Sequence, residues 1–195
     1  EDAKMQTQAI IDIIKNCTFG KLNEKIDTLP TFDIEYMFLQ LRQKSVGETI
    51  DINVTCQDDG ETKVPVTVNL EDIKVEKTEG HDKIIMITDK IGMTMKYPTM
   101  KKLLGYNLEK LDSMESTFDI IIDCLENVFD ENTVYDEMNK QELNEFIEQM
   151  TTEQFEKVSN FFTTMPKLKH TVKVVNPNTG KENEIVLEGM QSFLG

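Results

Sequence analysis

Basic residues are scarce in this chain of 195: 21 Lys and Arg face 36 Asp and Glu, a formal net charge of −15. Binding a phosphate backbone needs a basic stripe that releases counterions. The densest basic cluster is the pair Lys101-Lys102, and Lys167-Leu168-Lys169-His170 is diluted. Nucleic acid is therefore excluded as the main partner, and an anionic membrane surface is disfavoured for the same reason. No apolar run approaches the roughly 18 residues of a membrane-spanning helix, and no signal peptide is visible, so no membrane insertion is expected. Cysteine is also sparse. Cys17, Cys56 and Cys124 are odd in number and far apart, which suits reduced thiols in a cytosol better than a disulfide scaffold. Each lies in an apolar periodic stretch and reads as a small buried hydrophobe. Two histidines and three scattered cysteines give no CxxC or HxxxH spacing, so neither a zinc site nor a cofactor is expected.

What is present is enough apolar material, 38% of residues, to bury a core. Ile10, Ile13, Ile14 and Cys17 follow i, i+3, i+4, i+7 and predict a helix from Asp2 to about Asn16. The chain enters this pattern directly at Glu1, and a preceding segment is expected. Pro30 and Thr31 open a second helix that Gly47 closes. That helix is apolar on two sides, with Phe32, Tyr36 and Leu39 on one and Ile34, Phe38 and Leu41 on the other. It is either a central core helix or a helix that shares its second face with a partner.

From residue 49 to 97 the period changes to 2. Ile50–Cys56 and Val64–Leu70 flank a turn composition at 57–62, which predicts a β-hairpin with Pro65 on an edge. Further strands are predicted over Ile84–Thr88 and Ile91–Tyr97, with Met93 and Met95 in the core. Helices then return. Ser116 and Asp119 resemble a capping box ahead of a long stripe, Phe118, Ile121, Ile122, Leu125, Val128 and Phe129. Asn139 with Glu142, and Thr151 with Gln154, frame two more helix starts, the second with a stripe of Phe155, Val158, Phe162 and Met165 that Pro166 ends. The tail reads as a hairpin, 171–175 and 184–187, about the turn Asn176–Gly180, and Leu187–Leu194 as a short apolar plug.

Little of this carries chemistry. Asp130-Glu131-Asn132-Thr133-Val134 starts like a calcium loop, but Val134, Tyr135 and Gln141 replace the third ligand, the turn glycine and the closing glutamate. An acidic loop between helices is the expectation there. No GxSxG, GxxxxGK[ST] or GxGxxG occurs. Paired carboxylates are abundant only because the chain is acidic, and His81 and His170 read as surface residues. No enzymatic activity is expected; an enzyme without a recognisable motif is the minority alternative. What remains is surface for binding. The candidates are Tyr36, Phe38 and Arg42 on the two-faced helix, Lys96 and Tyr97 at a strand end, and Phe161 and Met165 near a helix end, where Phe161 falls off the stripe.

Taken together, these segments resemble the T4-type bacteriophage baseplate hub protein family, which includes hub assembly chaperones. The resemblance is carried by Leu29 through Glu48, by Ile91-Gly92-Met93-Thr94-Met95-Lys96-Tyr97-Pro98, and by Phe146 through Leu168. It implies binding to hub subunits during tail assembly, with self-association as a further expectation, in the host bacterial cytoplasm. A permanent seat in the virion baseplate is the alternative. No active site is implied. The tail turn has the shape of a Cys-Pro-x-Cys-Gly knuckle, but Asn176 and Thr179 stand where thiols would be. The expected fold is α+β: a helical part at 1–47, a β-rich section at 48–98, a helical part at 99–166, and a hairpin and tail at 167–195, together one compact unit.

Overall fold

A computed structural model describes residues 2–105 and 114–193. The fold is α+β, with antiparallel sheets and a hairpin near the C-terminal end. The chain divides into two compact units, each built from separate stretches. One holds Asp27–Thr31 and Lys77–Met165 with the residues up to Thr7; the other holds Gln8–Ile26, Phe32–Glu76 and the chain from Pro166 onward.

The unit containing Gln8–Ile26 takes most of helix α1 (Asp2–Cys17). Its apolar stripe is rotated from the expected one: Ile10, Ile11 and Ile14 are buried, while Ile13 and Cys17 are exposed. The reading of Cys17 as a buried hydrophobe is therefore corrected. Burial follows the Ile10–Ile11–Ile14 side, so position 17 faces solvent in the last turn. Thr18 then donates its hydroxyl to the Ile14 carbonyl at 2.8 Å, and Phe19 and Gly20 turn the chain with positive φ. Helix α2 (Thr31–Ser45) buries Phe32, Ile34 and Leu39, and Gly47 follows its end.

Strands β1 (Thr49–Thr55) and β2 (Lys63–Asn69) form the expected hairpin, in register Ile52↔Val66. Pro65 lies on β2, whose other side has no strand neighbour among the described residues, so its missing N–H costs no ladder bond. Strands β3 (Lys74–Glu76), β8 (Lys167–Val175) and β9 (Glu182–Glu188) make a second sheet in the order β3-β8-β9. After β9, Met190 and Phe193 are buried in a short 3-10 turn, as the apolar plug predicts; Leu194 lies outside the described residues.

The tips of the two hairpins are tied together. Asn176, fully buried, donates through Nδ2 to Asp58 Oδ1 at 2.9 Å and Asp59 Oδ2 at 2.8 Å. The Thr179 hydroxyl also donates to Asp58, and Asn183 Oδ1 accepts the N–H groups of Gln57 and Asp58. So the residues standing at the knuckle's thiol positions form a hydrogen-bonded clasp. These donors hold both carboxyls below the ordinary carboxylate range; for Asp58 the Thr179 hydroxyl contributes most, and for Asp59 the Thr62 hydroxyl does.

The other unit is organised on a four-stranded meander, β4 (Ile84–Met86), β5 (Gly92–Met95), β6 (Leu125–Phe129) and β7 (Val134–Tyr135), in that spatial order. Helices α3 (Met100–Gly105) and α4 (Met114–Cys124) lie between β5 and β6 in sequence. Helices α5 (Lys140–Glu148) and α6 (Thr152–Thr164) follow β7. Both carry the expected capping boxes, with Asn139 and Thr151 receiving backbone N–H groups while Glu142 and Gln154 reach back. Ile85, Ile87, Met93, Met95 and Val128 form the sheet side of a core that Ile121, Ile122, Ile147, Val158 and Phe161 complete from the helices.

Two readings in this unit are corrected. Ser116 lies inside α4, which begins at Met114, and so does not cap it. The stripe from Phe118 to Phe129 is not one helix: Leu125–Phe129 pairs with β5 as β6. The register shifts between Thr94 and Met95, so burial along β6 does not alternate, and a period-2 pattern is hidden in the sequence. Asp130–Thr133 is accordingly a turn between strands, not a loop between helices. Asp130 accepts the N–H groups of Asn132 and Thr133, each at 2.8 Å.

Candidate partner-binding surfaces

The sequence candidates separate into packed and open positions. Phe161 is 2% exposed and so is core, not contact surface. It lies one turn beyond buried Val158, and its ring stacks with Tyr97 at 5.6 Å and sits 5.1 Å from His81. Phe162 meets it edge-on at 5.1 Å. Tyr97 is half-buried in the same group, with Lys83 Nζ 4.6 Å from its ring centroid. Lys96 is exposed beside it in the chain, and Met165 is half-buried at the end of α6. In the unit that holds α2, Tyr36 is exposed, Phe38 and Arg42 are half-buried, and Arg42 Nη1 is buried without a hydrogen-bond partner.

His81 is not the free surface residue its loop composition suggests. Thr164 donates its hydroxyl to the Asn160 carbonyl at 2.7 Å, so its oxygen accepts from His81 Nδ1 at 3.0 Å. Nε2, 3.1 Å from the Tyr97 hydroxyl, is then the acceptor. The imidazole is thus held neutral, and burial, helped by Lys77 and Lys83, keeps its pKa below the usual histidine value. Both ring nitrogens are committed to structure. Burial likewise pushes the Cys124 thiol up to about 12, which leaves it protonated and unreactive. Glu35 on α2 is raised to about 7 by burial, against an opposing hydrogen bond from the Met190 backbone. Among the described residues, no three or more His, Cys, Asp or Glu gather in a metal-ligand arrangement, and no helix is long and apolar enough to cross a membrane.

Part of the exposed apolar surface lies together on the meander. Strand pairing places Met86, Gly92, Phe129 and Val134 in one row across all four strands, on the face opposite the Ile85–Met93–Val128 core. Met86 is 44% exposed and Val134 58%, and Ile84 beside them is 52% exposed. Gly92 is what lets this row close up: a methyl there would collide with Cζ of the Phe129 ring and meet Met86 Sδ at 2.9 Å. Beside this face, Ile91, Phe129, Val134, Met138 and Phe146 line an open groove of about 680 Å³. Sequence reading missed Met86 and Val134 because strand apolars look alike until the pairing shows which face is covered. The alternation of Ile84, Met86 and Thr88 against Ile85 and Ile87 was the available signal.

The fold is that of an α+β protein, and one row of its exposed apolar side chains crosses the meander, a surface of the kind that binds other proteins. A family model described as T4 bacteriophage base plate protein matches residues 1–195. The chain belongs to that family, and so is a phage baseplate-associated protein that interacts with other baseplate proteins. No curated protein and no solved structure matches it.

Proposed function

We propose that this baseplate protein is a non-enzymatic assembly factor, a chaperone that holds hub subunits in an assembly-competent state in the host cytoplasm. The open row of Met86, Phe129 and Val134 carries this reading. Burying such a row against a subunit is worth roughly 25 cal/mol per Å² of apolar area removed from water. Methionine adapts to imperfect contacts. A surface of this kind holds a partner without the large apolar interface of an obligate complex. The charge of −15 keeps the chain soluble while that surface is exposed, and favours partners with basic faces.

Quantitative mass spectrometry on pull-downs from infected cells and on purified phage, side by side, tests the proposal. Hub subunits in the pull-down with the chain absent from the particle is the expected result. A fixed copy number in the particle would mean a permanent structural component instead. Detection in neither would refute both.

A further inference from the structure

The groove beside the apolar row has a rim of one sign. Asp130, Asp136, Glu137 and Glu142 line it, and no Lys or Arg does. Asp130 is held ionised by the N–H groups of Asn132 and Thr133 and by the Tyr135 hydroxyl, which donates at 3.0 Å. Glu142 accepts the Asn139 N–H at 2.8 Å. Asp136 and Glu137 have no ion-pair partner among the described residues. The nearby lysines are engaged elsewhere: Lys90 with Glu131 at 3.8 Å, Lys140 with Asp119 at 2.7 Å. Asp136 also borders a neighbouring cavity lined by Lys96, Lys102 and Lys140, whereas Asp130, Glu137 and Glu142 line the groove with no lysine or arginine in its wall.

The groove also borders a free sheet edge. Among the described residues β7 pairs only with β6. Asp130 N–H donates to the Thr133 carbonyl at 2.9 Å, so Asp130 and Thr133 are a hydrogen-bonded pair. Antiparallel alternation makes the next pair, Phe129 and Val134, non-hydrogen-bonded. The N–H and C=O of Val134 then point outward, available to an added strand.

We infer that this groove docks an extended segment of a partner protein, apolar at its centre and flanked by Lys or Arg. The apolar centre covers Val134, Met138 and Phe146, the flanks meet the four carboxylates, and the backbone adds to β7. A second copy of this chain is the wrong occupant. Its own basic pair is already committed, Lys101 to Asp27 at 2.7 Å and Lys102 to Asp123 at 2.8 Å, and two copies each of net charge −15 repel. The inference rests on the protein-binding reading above and specifies what that surface recognises.

The test uses the full chain and a fluorescent ten-residue peptide with a Leu-Val-Ile-Leu centre between lysines, read by anisotropy at low and high salt. Its counterpart has glutamates in place of the lysines. The lysine peptide is expected to bind, less tightly at high salt, and the glutamate peptide not to bind. The double substitution Asp136→Lys with Glu137→Lys weakens binding about tenfold or more, and Val134→Ser weakens it about threefold. Glu182→Lys with Glu184→Lys, on β9, serves as a control and leaves binding unchanged. Absence of binding, equal binding of both peptides, or an equal loss in the β9 control would overturn the inference. Pull-downs from infected cells separate it from the wider proposal. If wild-type chain captures hub subunits and the Asp136/Glu137 variant captures them equally, the groove is refuted and the assembly factor stands. If wild-type chain captures none, the assembly factor falls, and the peptide result still decides the groove.

Discussion

Replacing Glu35 with Gln should stabilise the protein at alkaline pH and much less at acidic pH. Glu35 lies on α2 next to fully buried Ile34, and burial raises its carboxyl from 4.5 to about 7. In the unfolded chain it titrates near 4.5, so between those values the folded state holds the proton that the unfolded state has released. The folded state therefore binds more protons, and stability falls as pH rises through that window. At about 1.36 kcal/mol per pKa unit, the full penalty approaches about 3 kcal/mol by pH 8, and less than about 1 kcal/mol of it is present at pH 5. Glutamine has no charge to bury, and its Oε1 still accepts the Met190 N–H. The readout is urea unfolding of both proteins at pH 5, 6, 7 and 8. Titration of the remaining acids cancels in the difference between them. The stabilisation by Glu35→Gln should grow by about 2 kcal/mol from pH 5 to pH 8. A difference that is flat across this range would refute the reasoning, because a constant offset reports packing alone.

Two further substitutions probe particular contacts. Asn176→Ala removes the buried Nδ2 donor that ties the exposed carboxylates of Asp58 and Asp59 to the other hairpin, so a loss of about 1–2 kcal/mol is expected in chemical denaturation. The same experiment in acid should show wild-type stability falling as Asp58 and Asp59 protonate below their ordinary range, with a smaller fall in the variant. Gly92→Ala forces the Phe129 ring off the sheet and should cost about 1–3 kcal/mol; pairing it with Phe129→Ala should recover part of that loss, as measured by thermal melting.

Local chemistry was the part of the fold legible in sequence. The capping boxes at Asn139 and Thr151 are satisfied within four residues of chain, so their letters alone place the helix starts. The alternation of Ile50, Ile52 and Val54 gave β1 and its hairpin partner for the same reason. Residues 125–129 were illegible because an extra residue in this strand, Glu126, breaks their alternation, and sheet pairing overrides a stripe that also fits a helix. Phe161 was misread because its burial depends on His81 and Tyr97, more than 60 positions away. The binding surface was hidden likewise: Met86, Gly92, Phe129 and Val134 become one row only through strand registers that no short window contains.

The clasp between the hairpin tips sets a timetable for synthesis. Asp58 and Asn176 are 118 positions apart, and β3 likewise pairs with the distant β8. At bacterial elongation rates of about 5–20 residues per second, β1 and β2 leave the ribosome roughly ten seconds before the strands that complete their unit. The intervening stretch, Lys77–Met165, contains all four strands of the meander and helices α3 to α6. It can fold as it emerges, while the tip of the first hairpin waits for Asn176, Thr179 and Asn183. Truncation or ribosome stalling ahead of β8 would leave the meander attached to an aggregation-prone hairpin, so the first hairpin depends on strands made more than a hundred residues later.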